Sequence, residues 1–226
     1  MGMGSKSISY FFEILTATQL NNFSELSVCI LGNQKVANHT LGYKYYIFKD
    51  LLVDKGFLRS ENIDINGKDG SIILDLSMPL VQEGIVGMFD VVLNSGTSEH
   101  VMRNQWQVFK NMHDLLKNDG ILIHILPEDV VGHGFWLYRE LFFVWLSTIC
   151  KYNIVDLRVT SQRYFQHLRK HYIFVALQKH TQSIFISEDQ WKDPEREEIG
   201  FNRHQDSYDK FILESMVKNR LGVNHG

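Results

Sequence analysis

The chain of 226 residues is 44% hydrophobic, 12% aromatic and 22% charged, a composition that supports one α/β domain with a sizeable core and speaks against extensive disorder. Its formal net charge of −3, from 23 basic and 26 acidic side chains, supplies no cationic field for gripping a nucleic-acid backbone. The two cysteines, Cys29 and Cys150, lie in or at the end of apolar runs, which argues against a disulfide framework or a cysteine-built zinc site and fits a reducing, cytoplasmic setting.

From the N-terminus, "ISYFFEILTATQL" reads as a helix packed on the core, with no small-residue cleavage site that would make it a secretory signal. Then short β-rich runs alternate with helix-length segments, the pattern of a parallel sheet covered by helices on both faces. The runs are "SVCILG" (27–32), "ENIDI" (61–65), "SIILDLS" (71–77), "FDVVLNS" (89–95), "GILIHILP" (120–127), "NIVDLRVT" (153–160) and "YIFVALQ" (172–178), seven strands in all. Crossover helices are expected over about 43–58, over 105–118, where Trp106, Phe109, Met112, Leu115 and Leu116 recur at helical spacing, and over about 135–152. The last includes "GFWLYRELFFVWLSTIC", too short and too charged in its middle to span a bilayer, hence a buried helix. Only "NGKDG" separates the second and third runs, so a reduced crossover or an antiparallel pairing is expected there. The body thus covers 1–180. The polar extension 181–226 holds "DPEREEIGF", read as a loop, and "DSYDKFILESMVKNRL", whose Tyr208, Phe211, Ile212, Met216 and Val217 form an amphipathic stripe suited to a lid, a homodimer contact or a docked tail.

In an open parallel sheet, ligands bind outside the carboxyl ends of the strands. That rule nominates Gly32 to Gln34, Asp64 to Gly67, Asp75 to Ser77, Asn94 to His100 and the segment from Pro127 onward. Asp64 and Asp75 each stand where an acid can accept hydrogen bonds from ribose hydroxyls or an adenine amino group, although aspartate is equally common as a turn residue.

The succession "VCILGNQ", "NIDINGKDG", "IILDLS", "FDVVLNSGTSEHV", "LLKNDGILIHILP", "HGFWLY" and the last two strands resembles the class I S-adenosylmethionine-dependent methyltransferases, from about Ser27 to Gln178. The resemblance implies a three-layer Rossmann-like sandwich with strand order 3-2-1-4-5-7-6 and an antiparallel last strand. It implies S-adenosylmethionine as cofactor, with Gly32 and Asn33 in the glycine loop, Asp64 at the ribose, and Asp75 with Leu76 at the adenine. "NSGTSEHV" then corresponds to the place where acceptor meets sulfonium methyl, with Asn94 and Ser95 opening into the cleft beside the cofactor. The sequence departs from the family in the first loop, where Ile30 stands in place of the usual acid and Gln34 and Val36 replace later glycines. Asn33 and Gln34 are candidates to bind the amino-acid end of the cofactor in its stead.

For the reaction, His100 is the first candidate base because imidazole titrates near neutrality, Glu99 a candidate to orient it or contact the acceptor, and His133 in "GHGF" a second histidine on the rim. The structural alternatives are that Ser98 caps the following helix with Glu99 at its positive end, and that His133 is a solvated loop residue. His113 lies within a helix and His124 mid-strand, so neither is a candidate. No HxxxH or CxxC spacing supports a metal site from His100, His124 and His133, and none is expected. The functional expectation is methyl transfer to an oxygen or nitrogen of a small-molecule acceptor such as a sugar or hydroxylated metabolite. The alternatives are a catalytically inactive methyltransferase-like binding protein and, last, a nicotinamide-dependent oxidoreductase, whose GxGxxG "GNQKVA" does not supply.

Overall fold

The computed structural model describes residues 2–36, 46–80, 84–128, 133–165, 168–192 and 201–203. In chain order these form β1 (Gly2–Met3), α1 (Ser5–Ala17), β2 (Ser27–Leu31), β3 (Lys35–Val36), α2 (Phe48–Asp54), β4 (Arg59–Ile63), β5 (Phe89–Ser95), α3 (Gln105–Leu115), β6 (Leu116–Pro127), β7 (Trp136–Tyr138), α4 (Glu140–Cys150), β8 (Asn153–Phe165), β9 (Leu168–Gln178), α5 (Glu188–Trp191) and β10 (Phe201–Arg203). The amphipathic stripe expected between Tyr208 and Val217, and most of the "DPEREEIGF" loop, lie outside the described residues.

The central sheet runs β4-β2-β5-β6-β9-β8. β4, β2, β5 and β6 are mutually parallel, and β9 is antiparallel to both β6 and β8. Alternation along each strand sends side chains to opposite faces. Cys29, Leu31, Val92, Leu122, Leu126, Ile173, Val175 and Leu177 meet Phe109, Met112 and Leu115 of α3 and Phe142, Phe143 and Leu146 of α4. On the other face, Val28, Ile30, Val91, Leu93, Ile121, Ile123, Phe174 and Ala176 meet Phe11, Ile14 and Leu15 of α1 and Phe48, Leu51 and Leu52 of α2. The result is the three-layer α/β sandwich expected from the sequence. Ile30 is fully buried in the second of these cores, so the position where the resembled family carries an acid is apolar packing in this chain.

Among the described residues the sheet has six strands rather than the seven expected. The third run is reduced to a single parallel bridge between Ile63 and Ile72. "NGKDG" has no room for a helix and crosses as one 3-10 turn, Lys68–Gly70, with Gly67, Asp69 and Gly70 at positive φ. After Ile72 the chain bends away, because Asp75 Oδ1 accepts from the backbone N–H and hydroxyl of Ser77 in a tight side-chain turn. Strand pairing stops before Asp75.

The expected helix over 105–118 ends at Leu115, and the chain enters β6 directly. Lys179, just past β9, closes that junction by donating from Nζ to the carbonyls of His113 and Leu116, each at 2.9 Å. A cation at a helix C-terminus satisfies carbonyls that have no intrahelical partner. Past β9, Ile186 and Trp191 also belong to the core on the α3–α4 face, and Trp106 Nε1 donates to the Ile186 carbonyl. No helix among the described residues is long and apolar enough to cross a membrane.

Candidate active site

A cleft of about 480 Å³ opens at the carboxyl ends of β2, β4 and β5, within the roughly 300–1,000 Å³ range of small-molecule sites. It lies where parallel strands diverge to opposite sides, as topology dictates. Gly32, Asn33 and Gln34 form one wall, Ile63, Asp64 and Asp75 to Ser77 the second, and Gly96, Thr97 and His100 to Arg103 the third.

The glycine loop is held by its own side chains. Gly32 has φ +74°, and a Cβ there would come within 2.6 Å of Thr97 Oγ1 and 3.0 Å of Gln34 Nε2. Only glycine allows this approach. Thr97 Oγ1 donates to the Leu31 carbonyl at 2.7 Å, and Gln34 Nε2 donates to the same carbonyl and to Thr97 Oγ1, both at 3.0 Å. Gln34 is thus a buried clasp joining the β2 and β5 loops, with Oε1 unpartnered. The Asn33 backbone N–H donates to Asp64 Oδ2 at 2.8 Å, while its side chain is held between Asp69 and Asn62. Asp64 Oδ1 accepts from the Asn66 amide at 3.0 Å. Asp64 and Asp75 therefore reach the cleft from the same wall, each with a carboxylate oxygen fixed by a local turn.

Asn94 and Ser95, expected beside the cofactor, are buried in the sheet and absent from the cleft lining. Asn94 pairs in register with His124. Its Nδ2 donates to Ser98 Oγ at 2.8 Å and to His124 Nδ1 at 3.2 Å, and its Oδ1 accepts from the Ser98 N–H at 3.1 Å. The side chain points into the core and shapes the loop from beneath. Leu76 lines the cleft and is buried.

Ser98 does not cap a helix. It starts a single 3-10 turn, Ser98–His100, and α3 begins later, capped by Asn104. The turn is pinned on every side. Gln105 Nε2 donates to the carbonyls of Ser98 and Val101, Trp136 Nε1 donates to Val101, and the Phe135 N–H donates to the Glu99 carbonyl at 2.6 Å. Tyr138 donates to Gln105 Oε1 and steadies that amide. Such a frame preorganises whatever Glu99 and His100 do.

Those two residues and His133 form one group. Glu99 is completely buried, and neither carboxylate oxygen has a hydrogen-bond partner. His133 Nε2 lies 3.6 Å and His100 Nε2 3.8 Å from Glu99 Oε1, with the imidazole rings edge to face at 4.7 Å. His133 Nε2 is therefore buried and turned toward Glu99, although the side chain as a whole is 29% exposed. Partial burial holds His100 below the ordinary imidazole value, opposed by Glu99 and reinforced by His133. His113 hydrogen-bonds Tyr152 and His124 is fully buried, both away from the cleft. The cleft residues that sequence reasoning passed over include Met102 and Arg103, while Thr97 fell within the nominated stretch Asn94 to His100 but was given no role. Thr97 and Arg103 sit within and just after "NSGTSEHV", and a polar and a basic residue so close to a strand end were the available signal.

No protein-family model and no curated protein matches this sequence. Among solved structures, the N-methyltransferase NodS from Bradyrhizobium japonicum WM9, in complex with S-adenosyl-L-homocysteine, is similar over 78% of this chain and 88% of its own, with a TM-score of 0.51 and 10% identity. A SAM-dependent methyltransferase from Methanosarcina mazei is similar over 72% of this chain and 97% of its own, with a TM-score of 0.50 and 13% identity. The chain has the class I methyltransferase fold. Within that fold, the observed strand order matches the expected 3-2-1-4-5-7-6 with its third strand worn down to the Ile72 bridge.

Proposed function

We propose that the chain binds S-adenosylmethionine in the cleft between the Gly32 loop, Asp64 and Asp75, and moves its methyl group to an oxygen or nitrogen of a small-molecule acceptor. The carrying observation is the convergence of Asp64 and Asp75 on one cleft at the carboxyl ends of β2 and β4, in a methyltransferase fold. Carboxylates so placed accept hydrogen bonds from the ribose diol and the adenine amino group. Arg103, on the third wall, offers a guanidinium to a carboxylate of cofactor or acceptor.

In the transfer, an acceptor lone pair attacks the methyl carbon. Bound in the cleft, S-adenosylmethionine would supply the methyl group, the C–O or C–N bond forming as the S–C bond breaks with its electron pair left on sulfur in S-adenosylhomocysteine. Any proton on the acceptor leaves on the side of His100, the member of the Glu99, His100 and His133 group that lines the cleft. The rigid Ser98–Val101 turn holds this side in place, so the chain's contribution is alignment and exclusion of water.

Calorimetry with S-adenosylhomocysteine tests the reading. Asp64→Asn and Asp75→Asn should each weaken binding about tenfold or more, the value of a hydrogen bond to a charged group. No binding by folded wild-type protein at about 1 mM ligand, the weak end of specific affinity, would overturn it. That outcome would favour a non-catalytic binding protein of the same fold, a reading that draws on the Thr97 and Gln34 side chains crowding the space over Gly32.

A further inference from the structure

The geometry points to a divalent transition-metal site formed by Glu99, His100 and His133. Three observations carry it. The first is the orphaned carboxylate: Glu99 is fully buried, and both of its oxygens lack a hydrogen-bond partner. An ionised carboxylate in that state is costly unless a cation compensates it. The second is spacing. The two imidazole nitrogens stand 3.6 and 3.8 Å from the same carboxylate oxygen, and one ligand atom from each of the three residues lies within 4.8 Å of the other two. These contacts are too long for hydrogen bonds, whereas donors about 2.0–2.2 Å from a shared metal ion lie roughly 3.3–3.6 Å apart.

The third observation is that the chain is built to bring these groups together. Gly134 has φ +75°, and a Cβ there would come within 2.8 Å of Glu99 Cγ and 2.9 Å of Glu99 O. This contact, with the Phe135 N–H bond to the Glu99 carbonyl, seats His133 over the carboxylate. His133 Nε2 is itself without a hydrogen bond. Two imidazoles and one carboxylate are a donor set for zinc, iron or manganese, with positions left open for other ligands.

His100 also lines the cleft, so the open positions lie on the acceptor's side. A metal there would bind an acceptor hydroxyl and lower its pKa, releasing the proton to solvent as the methyl group transfers. That role rests on the methyl-transfer reading; the metal site itself does not. It also replaces His100 as a base, since an imidazole nitrogen that ligates a metal has no lone pair left for a proton.

The test uses the full chain stripped with a chelator and dialysed. Zinc chloride titrated in a calorimeter should bind one ion per chain and raise the melting temperature, and cobalt chloride should give the visible absorption of a nitrogen and oxygen site. Glu99→Gln and His133→Ala should each weaken zinc binding roughly a hundredfold and abolish the rise in melting temperature, whereas His180→Ala, an imidazole outside the group, should change neither. Metal-free Glu99→Gln should melt no lower than the wild type, which a purely structural glutamate would not allow. No saturable zinc or cobalt binding by the wild type, or binding that both variants leave intact, overturns the site. S-adenosylhomocysteine affinity measured on the same samples separates the two readings, because its absence would remove methyl transfer and leave metal binding to be judged by itself.

Discussion

His133 Nε2 lies 3.6 Å from Glu99 Oε1 although one residue follows β5 and the other follows β6. Gly134 makes the approach, and its replacement is the sharpest probe of it. Gly134→Ala puts a Cβ against Glu99 at 2.8 Å in a positive-φ conformation, costing about 1–3 kcal/mol. The chain should relieve this by moving His133 outward. Zinc affinity and methyl transfer should then fall together while S-adenosylhomocysteine affinity stays within about threefold of the wild type; a parallel loss of cofactor affinity would show that the rim and the cofactor wall are one unit.

Thr97 is predicted to set the shape of the cofactor wall. Thr97→Val keeps the volume and removes the hydroxyl that donates to the Leu31 carbonyl and accepts from Gln34 Nε2. Leaving buried amide and carbonyl groups short of a partner costs about 1–3 kcal/mol. Chemical denaturation should report that loss, and calorimetry should show weaker S-adenosylhomocysteine binding as the Gly32 loop loosens. Unchanged values on both measurements would mean the clasp is incidental.

Asp90 should hold the β2–β5 pairing at its start. Oδ2 accepts from the Ser27 N–H at 2.8 Å and the Ser27 hydroxyl at 2.6 Å, while Lys117 Nζ reaches both oxygens at 2.9 Å. Burial alone would raise its pKa, but the Ser27 and Lys117 bonds outweigh this and hold the carboxyl below its usual value. Stability from a lowered carboxyl pKa is present above the unfolded value and lost as pH falls through the folded one. Asp90→Ala should therefore cost about 1–3 kcal/mol at neutral pH, with the deficit shrinking below about pH 3.9, the ordinary aspartate value, in denaturant melts compared across pH.

The sheet was legible in the sequence because its strands are unbroken apolar runs and its helices repeat at 3.6 residues, both of them local signals. Asp64 and Asp75 were legible because topology alone places strand ends at the cleft. Three features were not. The third strand failed because the Asp75 turn with Ser77 competes with pairing, and a side-chain turn leaves the apolar pattern of "SIILDLS" untouched. Asn94 was assigned to the cofactor from its place near a strand end, but its register against His124 turns it inward. The grouping of His133 with Glu99 depends on the path after β6 and on one glycine conformation. Metal-ligand spacing rules, which look for donors on one local element, do not reach that far.

His124 gives the last prediction, in stability against pH. It is fully buried between Phe109 and Phe143. Asn94 Nδ2 donates to Nδ1, which places the proton of the neutral ring on Nε2, where it has no partner. Burial pushes the folded-state pKa down to about 3, while the unfolded chain titrates near the ordinary 6.5. Between these values the unfolded state binds one more proton than the folded state, so stability is complete above about pH 6.5 and falls as pH drops toward 3. The slope is about 1.4 kcal/mol per pH unit, or about 2 kcal/mol between pH 6.5 and 5. His113, bonded to Tyr152 and likewise pushed down to about 3 by burial, adds a loss of the same sign. Denaturant melts of the wild type at pH 7.5, 6.5, 5.8 and 5.0, a series placed around the ordinary histidine value, should show the fall. His124→Asn keeps an acceptor near Asn94 and cannot titrate in this range; it should start less stable and lose about one proton's worth of slope. A slope equal to the wild type's would mean that His124 takes up its proton without unfolding the sheet around it.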